Sequence, residues 1–202
     1  NQQANLLLHQ HLQQKTQRLL KSSGLPLFTW NESQQTAQGF GARLTEAVQH
    51  VYSQGYQKVL IVGNDSPQLA SQHVNQALRL LQENESVLGA TPQGGAYLIG
   101  LSQKKFNAAA FEKLSWQSPV LAEELSQLLS TQSVAKLPVL ADVNNFNDLL
   151  LLAQQAILEP SLRFLLGFYR AFQKPKPSQT HYFSLFHKRP ALRGPPTVLA
   201  LS

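Results

Sequence analysis

Two stretches, 58-KVLIVGNDSPQL-69 and 87-VLGATPQGGAYLIGL-101, decide the fold. Val59, Leu60, Ile61 and Val62 form an unbroken apolar run with β-branched residues, closed by Gly63, and a helix-like pattern follows from Leu69 to Leu81. A strand buried on both faces of a parallel sheet reads this way. Asp65 stands just past the carboxyl end of that strand. Open α/β sheets bind ligands at such ends, so the carboxylate is placed to hold a divalent cation or a substrate hydroxyl. The same residues also allow a structural reading, in which Asp65 or Ser66 caps the next helix and Pro67 lies in its first turn.

In the second stretch Gly94 and Gly95 predict a tight turn where backbone approaches a ligand closely or takes positive φ. Tyr97 to Leu101 then returns as a strand. The order strand, Gly-Asn-Asp-Ser-Pro, helix, short strand, Gly-Gly-x-Tyr-Leu-Ile-Gly-Leu is more specific than any one motif in it. Two further segments belong with it, Gln38-Gly39-Phe40-Gly41-x-Arg43 and Asp142-Val143-Asn144-Asn145-Phe146-Asn147-Asp148-Leu149. Together they resemble the domain of unknown function 2064 (DUF2064) family, bacterial proteins similar to nucleotidyltransferases and to glycosyltransferases of the GT-A fold. The resemblance covers about residues 5 to 155.

That resemblance implies a three-layer α/β/α sandwich with a mixed, mostly parallel sheet. It implies a nucleotide or nucleotide-sugar as partner and Mg²⁺ or Mn²⁺ as cofactor. Asp65 and Asp142 would hold the metal and serve as the catalytic pair, with Gln38, Arg43, Asn64, Gln93, Gly94, Gly95 and Asn144 around the substrate. The chemistry is coherent, because Mg²⁺ takes one or two carboxylates plus substrate phosphates, and an Arg guanidinium pairs bidentately with phosphate. Asp148 reads instead as a cap for the helix from Leu149 to Ile157.

Composition sets bounds around this reading. With 43% hydrophobic and 14% charged residues, the 202-residue chain is expected to fold around a sizeable core. No apolar run approaches the roughly 18 residues of a membrane span, and 1-NQQANLLLHQH-11 lacks the basic start and cleavage site of a signal peptide. A cytoplasmic protein is expected. Without cysteine there is no disulfide, thiolate metal site or cysteine nucleophile. The six histidines lack metal-ligand spacing, and no Walker loop, GxGxxG or GxSxG is present.

The net charge of +6 is uneven: from Ser161 onward there are seven Lys or Arg and no acid, whereas residues 1–160 carry ten basic and eleven acidic groups. We therefore expect a GT-A-like domain over residues 1–160 and a basic C-terminal helix and Pro-rich tail over 161–202. A basic tail can meet acidic partners, although nucleic acid is not expected, since no aromatic stacking pattern is interleaved with the charges. The sequence is silent on oligomeric state.

Helices are expected over residues 1–22, 41–52, 68–82, 120–130 and 149–157 and again from Pro160 through Phe172, with strands at 27–30, 87–89, 97–101 and 134–140. The chain begins at Asn1, which leads us to expect upstream sequence, and the resemblance implies a first strand and a nucleotide loop before the first helix. Were that strand absent, Thr197 to Leu201 would be expected to fill its slot in the sheet. Two departures from the family pattern replace a carboxylate by an amide, at Gln93 and Asn144, and Ala96 stands where an aromatic residue is frequent. These support an alternative, a catalytically degenerate GT-A-fold binding or scaffold protein with a basic C-terminal interaction surface.

Overall fold

The computed structural model describes residues 2–29, 37–129, 134–155, 158–172 and 197–201. Their elements follow in the order α1 (Gln2–Lys21), β1 (Leu27–Thr29), α2 (Phe40–Ser53), β2 (Lys58–Val62), α3 (Ser71–Glu83), β3 (Ser86–Ala90), β4 (Ala96–Ser102), α4 (Ala108–Glu112), α5 (Leu121–Leu129), β5 (Val134–Lys136), α6 (Phe146–Gln155), α7 (Pro160–Phe172) and β6 (Thr197–Leu201). The strands form one mixed sheet in the order β1-β6-β2-β4-β3-β5. β1, β2, β3 and β5 share one direction, and β4 and β6 run against them.

The expected mixed α/β sandwich is what the chain forms, but adjacency within its sheet is mainly antiparallel. β3 and β5 are the one parallel pair, because β4 and β6 each lie between two strands of the opposite direction. β2 is buried on both faces, as its sequence predicts, yet both its neighbours are antiparallel. Its apolar continuity therefore reflects helices on both sides rather than parallel pairing. Val59 and Ile61 point to one layer, where Leu44, Val48 and Val51 of α2 and Leu121 and Leu125 of α5 meet them. Leu60 and Val62 point to the other, against Leu20 of α1 and Val74, Ala77 and Leu81 of α3. This is the period-two alternation of a strand covered by two amphipathic helix layers.

A third cluster joins Leu8 and Leu12 of α1 to Leu149 and Leu152 of α6 and to Leu162 and Leu166 of α7. Phe146 stacks on Tyr169 with ring centroids 4.1 Å apart. α7 is thus packed on the body of the molecule.

Thr197–Leu201 lies in the sheet, between β1 and β2 and antiparallel to both, with Leu60 opposite Leu199. Its place is the one anticipated from the sequence. Two element boundaries differ from expectation for clear reasons. α3 starts at Ser71 rather than near Gln68, because Leu69 N–H donates to the Ser66 carbonyl in a separate turn. β5 stops at Lys136, although Leu137 N–H still donates to Leu88 O and Leu140 N–H to Ala90 O. Pro138 between them has no N–H to continue the ladder.

Gly89 shows how tightly the β3–β4 pair is built. A Cβ there would lie 2.4 Å from the Tyr97 ring, and Tyr97 is fully buried with its hydroxyl donating to Pro138 O at 2.8 Å. The ring has nowhere to move. Gly89→Ala is expected to lower the unfolding free energy by about 1–3 kcal/mol, the usual cost of overpacking, read from the urea midpoint at unchanged slope.

Candidate functional site

The carboxyl ends of β2 and β3 meet the amino end of β4 at one edge of the sheet, and three backbone segments converge there. The first is Gly63-Asn64-Asp65-Ser66, which leaves β2. Asp65 folds back over it, so that a Cβ on Gly63 would sit 3.1 Å from Asp65 Oδ1 and 3.6 Å from Tyr97 Cα. The second is the Thr91–Gly95 turn, closed by Thr91 N–H to Gly95 O at 2.9 Å and by Gly95 N–H to Thr91 Oγ1 at 3.1 Å. The third is Leu140–Asn144.

Asp142 arrives from that third segment, and a Cβ on Gly95 would be 4.0 Å from its Oδ2. The two carboxylates therefore approach the start of β4 at residues two apart, about 7 Å along an extended chain. Val143 N–H donates to Asp65 O at 2.8 Å, which locks the two segments together. Tyr97 adds a second tie through Pro138, and burial pushes its phenol up to about 12, so that it stays a donor. Lys15 of α1 adds a third, donating to Pro67 O while its ammonium pairs with Glu159 at 2.8 Å.

Asp142 is buried, and its Oδ1 has no hydrogen-bond partner. Ser66, next to Asp65, is buried with its hydroxyl unpartnered as well. A desolvated carboxylate oxygen without a donor costs free energy unless a ligand completes it. Among the described residues no group of three or more His, Cys, Asp or Glu gathers at one point. The donor set is therefore of the kind that hard cations share with substrate phosphates, rather than an all-protein cage.

The other expected residues divide clearly. Asn64 lies beside Asp65, and Asn144 follows the Val143 tie, its N–H donating to Asp148 Oδ2 at 2.8 Å. Asn145 is the true cap of α6, with Oδ1 accepting from Asn147 N–H and Asp148 N–H, and Asp148 completes the cap as a first-turn acceptor. Gln93 is exposed at the tip of its turn, and Gln38 and Arg43 are exposed around the start of α2. Arg43 makes no ion pair among the described residues. Gly94 has φ 80°, and a Cβ there would fall 1.7 Å from Pro119 O. The close approach at Gly94 is thus to the chain itself, and Gly94 O accepts from Ala122 N–H at 2.8 Å to hold the start of α5.

Beside Asn64 and Asp65 opens a cavity of about 70 Å³. Phe40, Leu44, Ile61, Ile99, Trp116 and Leu121 wall it. Trp116 and Gln117, which also lines it, carry no motif in the sequence. Trp116 is fixed by its indole N–H donating to Phe111 O at 2.9 Å and by its ring meeting Phe40 at 5.6 Å. A Trp in a polar segment ahead of an apolar helix was the available signal. Thr91, which closes the glycine turn, had none.

Similarity to known proteins is consistent with this geometry. A family model described as an uncharacterised protein conserved in bacteria, DUF2064, matches residues 3–118. The solved structure of a proposed nucleotide-diphospho-sugar transferase from Desulfovibrio desulfuricans G20 superposes with a TM-score of 0.59 at 27% identity, over 68% of this chain and 62% of that one. No curated protein matches the chain. No helix among the described residues is long and apolar enough to cross a membrane.

The wall that carries Trp116 is itself pinned by charge. Ser115 donates its backbone N–H at 2.6 Å and its hydroxyl at 2.8 Å to the Glu124 carboxylate, and these bonds hold that carboxyl below the usual carboxylate range. The contact therefore stabilises the fold above the unfolded carboxylate pKa of about 4.3, and the stabilisation is lost as pH falls through the lower folded value. Glu124→Gln is expected to be less stable than the parent at neutral pH and to lose less stability between about pH 5 and pH 3, measured as urea midpoints across that range.

Proposed function

Since this chain belongs to the DUF2064 family, we propose that it is a transferase acting on a nucleotide or nucleotide-sugar, with Mg²⁺ or Mn²⁺ held by Asp65 and Asp142. The observation that carries the reading is Asp142 Oδ1, buried and without a partner at the edge where Asp65 also lies. A divalent cation there would neutralise a diphosphate and its developing charge. The likeness to the Desulfovibrio protein supports a transferase kind, and this chain spans 62% of that protein's length.

The residues divide the remaining work by position. Asp65 and Asp142 supply negative charge from two backbone segments bonded to each other, so their separation is set before substrate arrives. That is the preorganisation on which group transfer to or from phosphate depends. Asn64, Gly95 and Asn144 offer amide and backbone groups around the same point. Arg43, exposed near the cavity-lining Phe40 and Leu44, is free in charge to meet a phosphate from the rim. A second reading, a binding protein that has lost catalysis, is favoured by the amides at Gln93 and Asn144, which bring no charge to a cation.

Calorimetric titration of nucleoside triphosphates and nucleotide-sugars, with and without Mg²⁺ or Mn²⁺, separates the two. The transferase reading expects nucleotide binding that requires the metal and weakens by more than about tenfold in Asp142→Asn, the scale on which even outer-shell partners matter. The same substitution is expected to raise the melting temperature of the metal-free protein, because it removes a buried, unpaired charge. Metal-independent binding, or none by the folded chain, would leave the second reading.

A further inference from the structure

The cavity beside Asp65 has a chemistry that a nucleotide diphosphate does not need. Leu44, Ile61, Ile99 and Leu121 give it aliphatic walls from both α-helices and both central strands, and Trp116 and Phe40 close it with rings. Polar groups enter at two places, the Gly63-Asn64-Asp65 segment on one side and Gln117 on the other. At about 70 Å³ it has room for roughly five water-sized groups.

Gln117 takes φ 63°, and it is the one non-glycine residue with positive φ among the described residues. Gln is not among the residues that enter the left-handed region readily, and such a conformation persists where its surroundings over-determine it. Those surroundings are visible. Trp116 N–H donates to Leu114 O at 2.7 Å and Leu121 N–H to Ser118 O at 3.4 Å, while Ser115 is fastened to Glu124. The segment is braced on both sides of Gln117, and the brace puts an amide at the edge of an otherwise apolar space.

We propose that this cavity is a subsite for a second substrate with a small apolar body and a single hydroxyl, the hydroxyl lying toward Asp65, and that Gln117 sets its specificity. The words "second substrate" rest on the transferase reading above; the binding itself does not. A sugar ring or polyol is excluded by the same walls, since each of its hydroxyls would be desolvated against Leu, Ile and aromatic carbon with no partner. Ala96, also on the wall, is where this space can be filled: a ring at that position would occupy it.

The test titrates the full chain, in a Trp30→Phe background so that Trp116 is the fluorophore, with 3-methylbutan-1-ol and with glycerol and D-xylose. A saturable response to the alcohol at a concentration about tenfold or more below that for either polyol is expected. The response should vanish in Ala96→Phe. In Gln117→Gly, which relaxes the left-handed backbone and so keeps the fold, alcohol binding should weaken about threefold to tenfold, the worth of one hydrogen bond. Should Ala96→Phe fail to fold, Gln117→Gly decides. A polyol response equal to that of the alcohol, or alcohol binding unchanged in the folded variants, overturns the proposal. Alcohol binding that persists when no nucleotide binds would remove the transferase reading and keep the subsite; metal-dependent nucleotide binding with no alcohol response would do the reverse.

Discussion

Backbone pairing along both edges of β2 is the constraint on which the molecule depends. Four consecutive residues of that strand, Val59 to Val62, are buried, so every N–H and C=O they carry must find a partner within the protein. β4 satisfies one edge and β6 the other. With both edges closed, helices can cover both faces, and the loop that leaves the strand has a fixed origin. The position of Asp65 follows from that origin, and the position of Asp142 follows from the bond between Val143 and Asp65.

The candidate site then sits where stability and ligand binding are in tension. Asp142 is buried beside Gly95 with one oxygen unpartnered, an arrangement that weakens the isolated fold and strengthens it when a cation is bound. The surrounding ties explain how the fold tolerates it. Tyr97 fastens β4 to Pro138, and Lys15 fastens Pro67 to α1 and to Glu159 at the start of α7. None of these groups touches the carboxylates in a way that would neutralise them. They hold the backbone still, and the charge is left for something else.

Much of the architecture was legible in the residues themselves. The apolar run at 59–62, the glycine pair after a short strand and the helical stripes at 44–51 and 121–129 each occur as their spacing predicts. Strand direction was less legible, because burial on both faces looks the same whether neighbours run parallel or antiparallel. At the site, Asp65 and Asp142 were marked by their places after strands. Gly94 was marked for the wrong neighbour: its missing Cβ admits Pro119, and no local pattern distinguishes a ligand's approach from that of another segment. Gln117 was invisible, since a glutamine in αL conformation reads like any other glutamine. Trp116 became meaningful only when its indole was seen bonded to Phe111 O beside Asp65's loop.

The place of β6 has a consequence in time. Its residues pair with Leu27–Thr29 and Lys58–Val62, more than 130 positions earlier in the chain. Contacts of such sequence separation are made late, after the entropy of a long loop has been overcome, and they slow folding. On the ribosome, the edges of β1 and β2 that face β6 stay open until residue 201 has emerged. During that interval β2 presents an apolar strand with an unpaired edge, the species from which aggregation starts. Yield of the native protein should thus be governed by how long that edge waits, more than by the stability of the finished sheet.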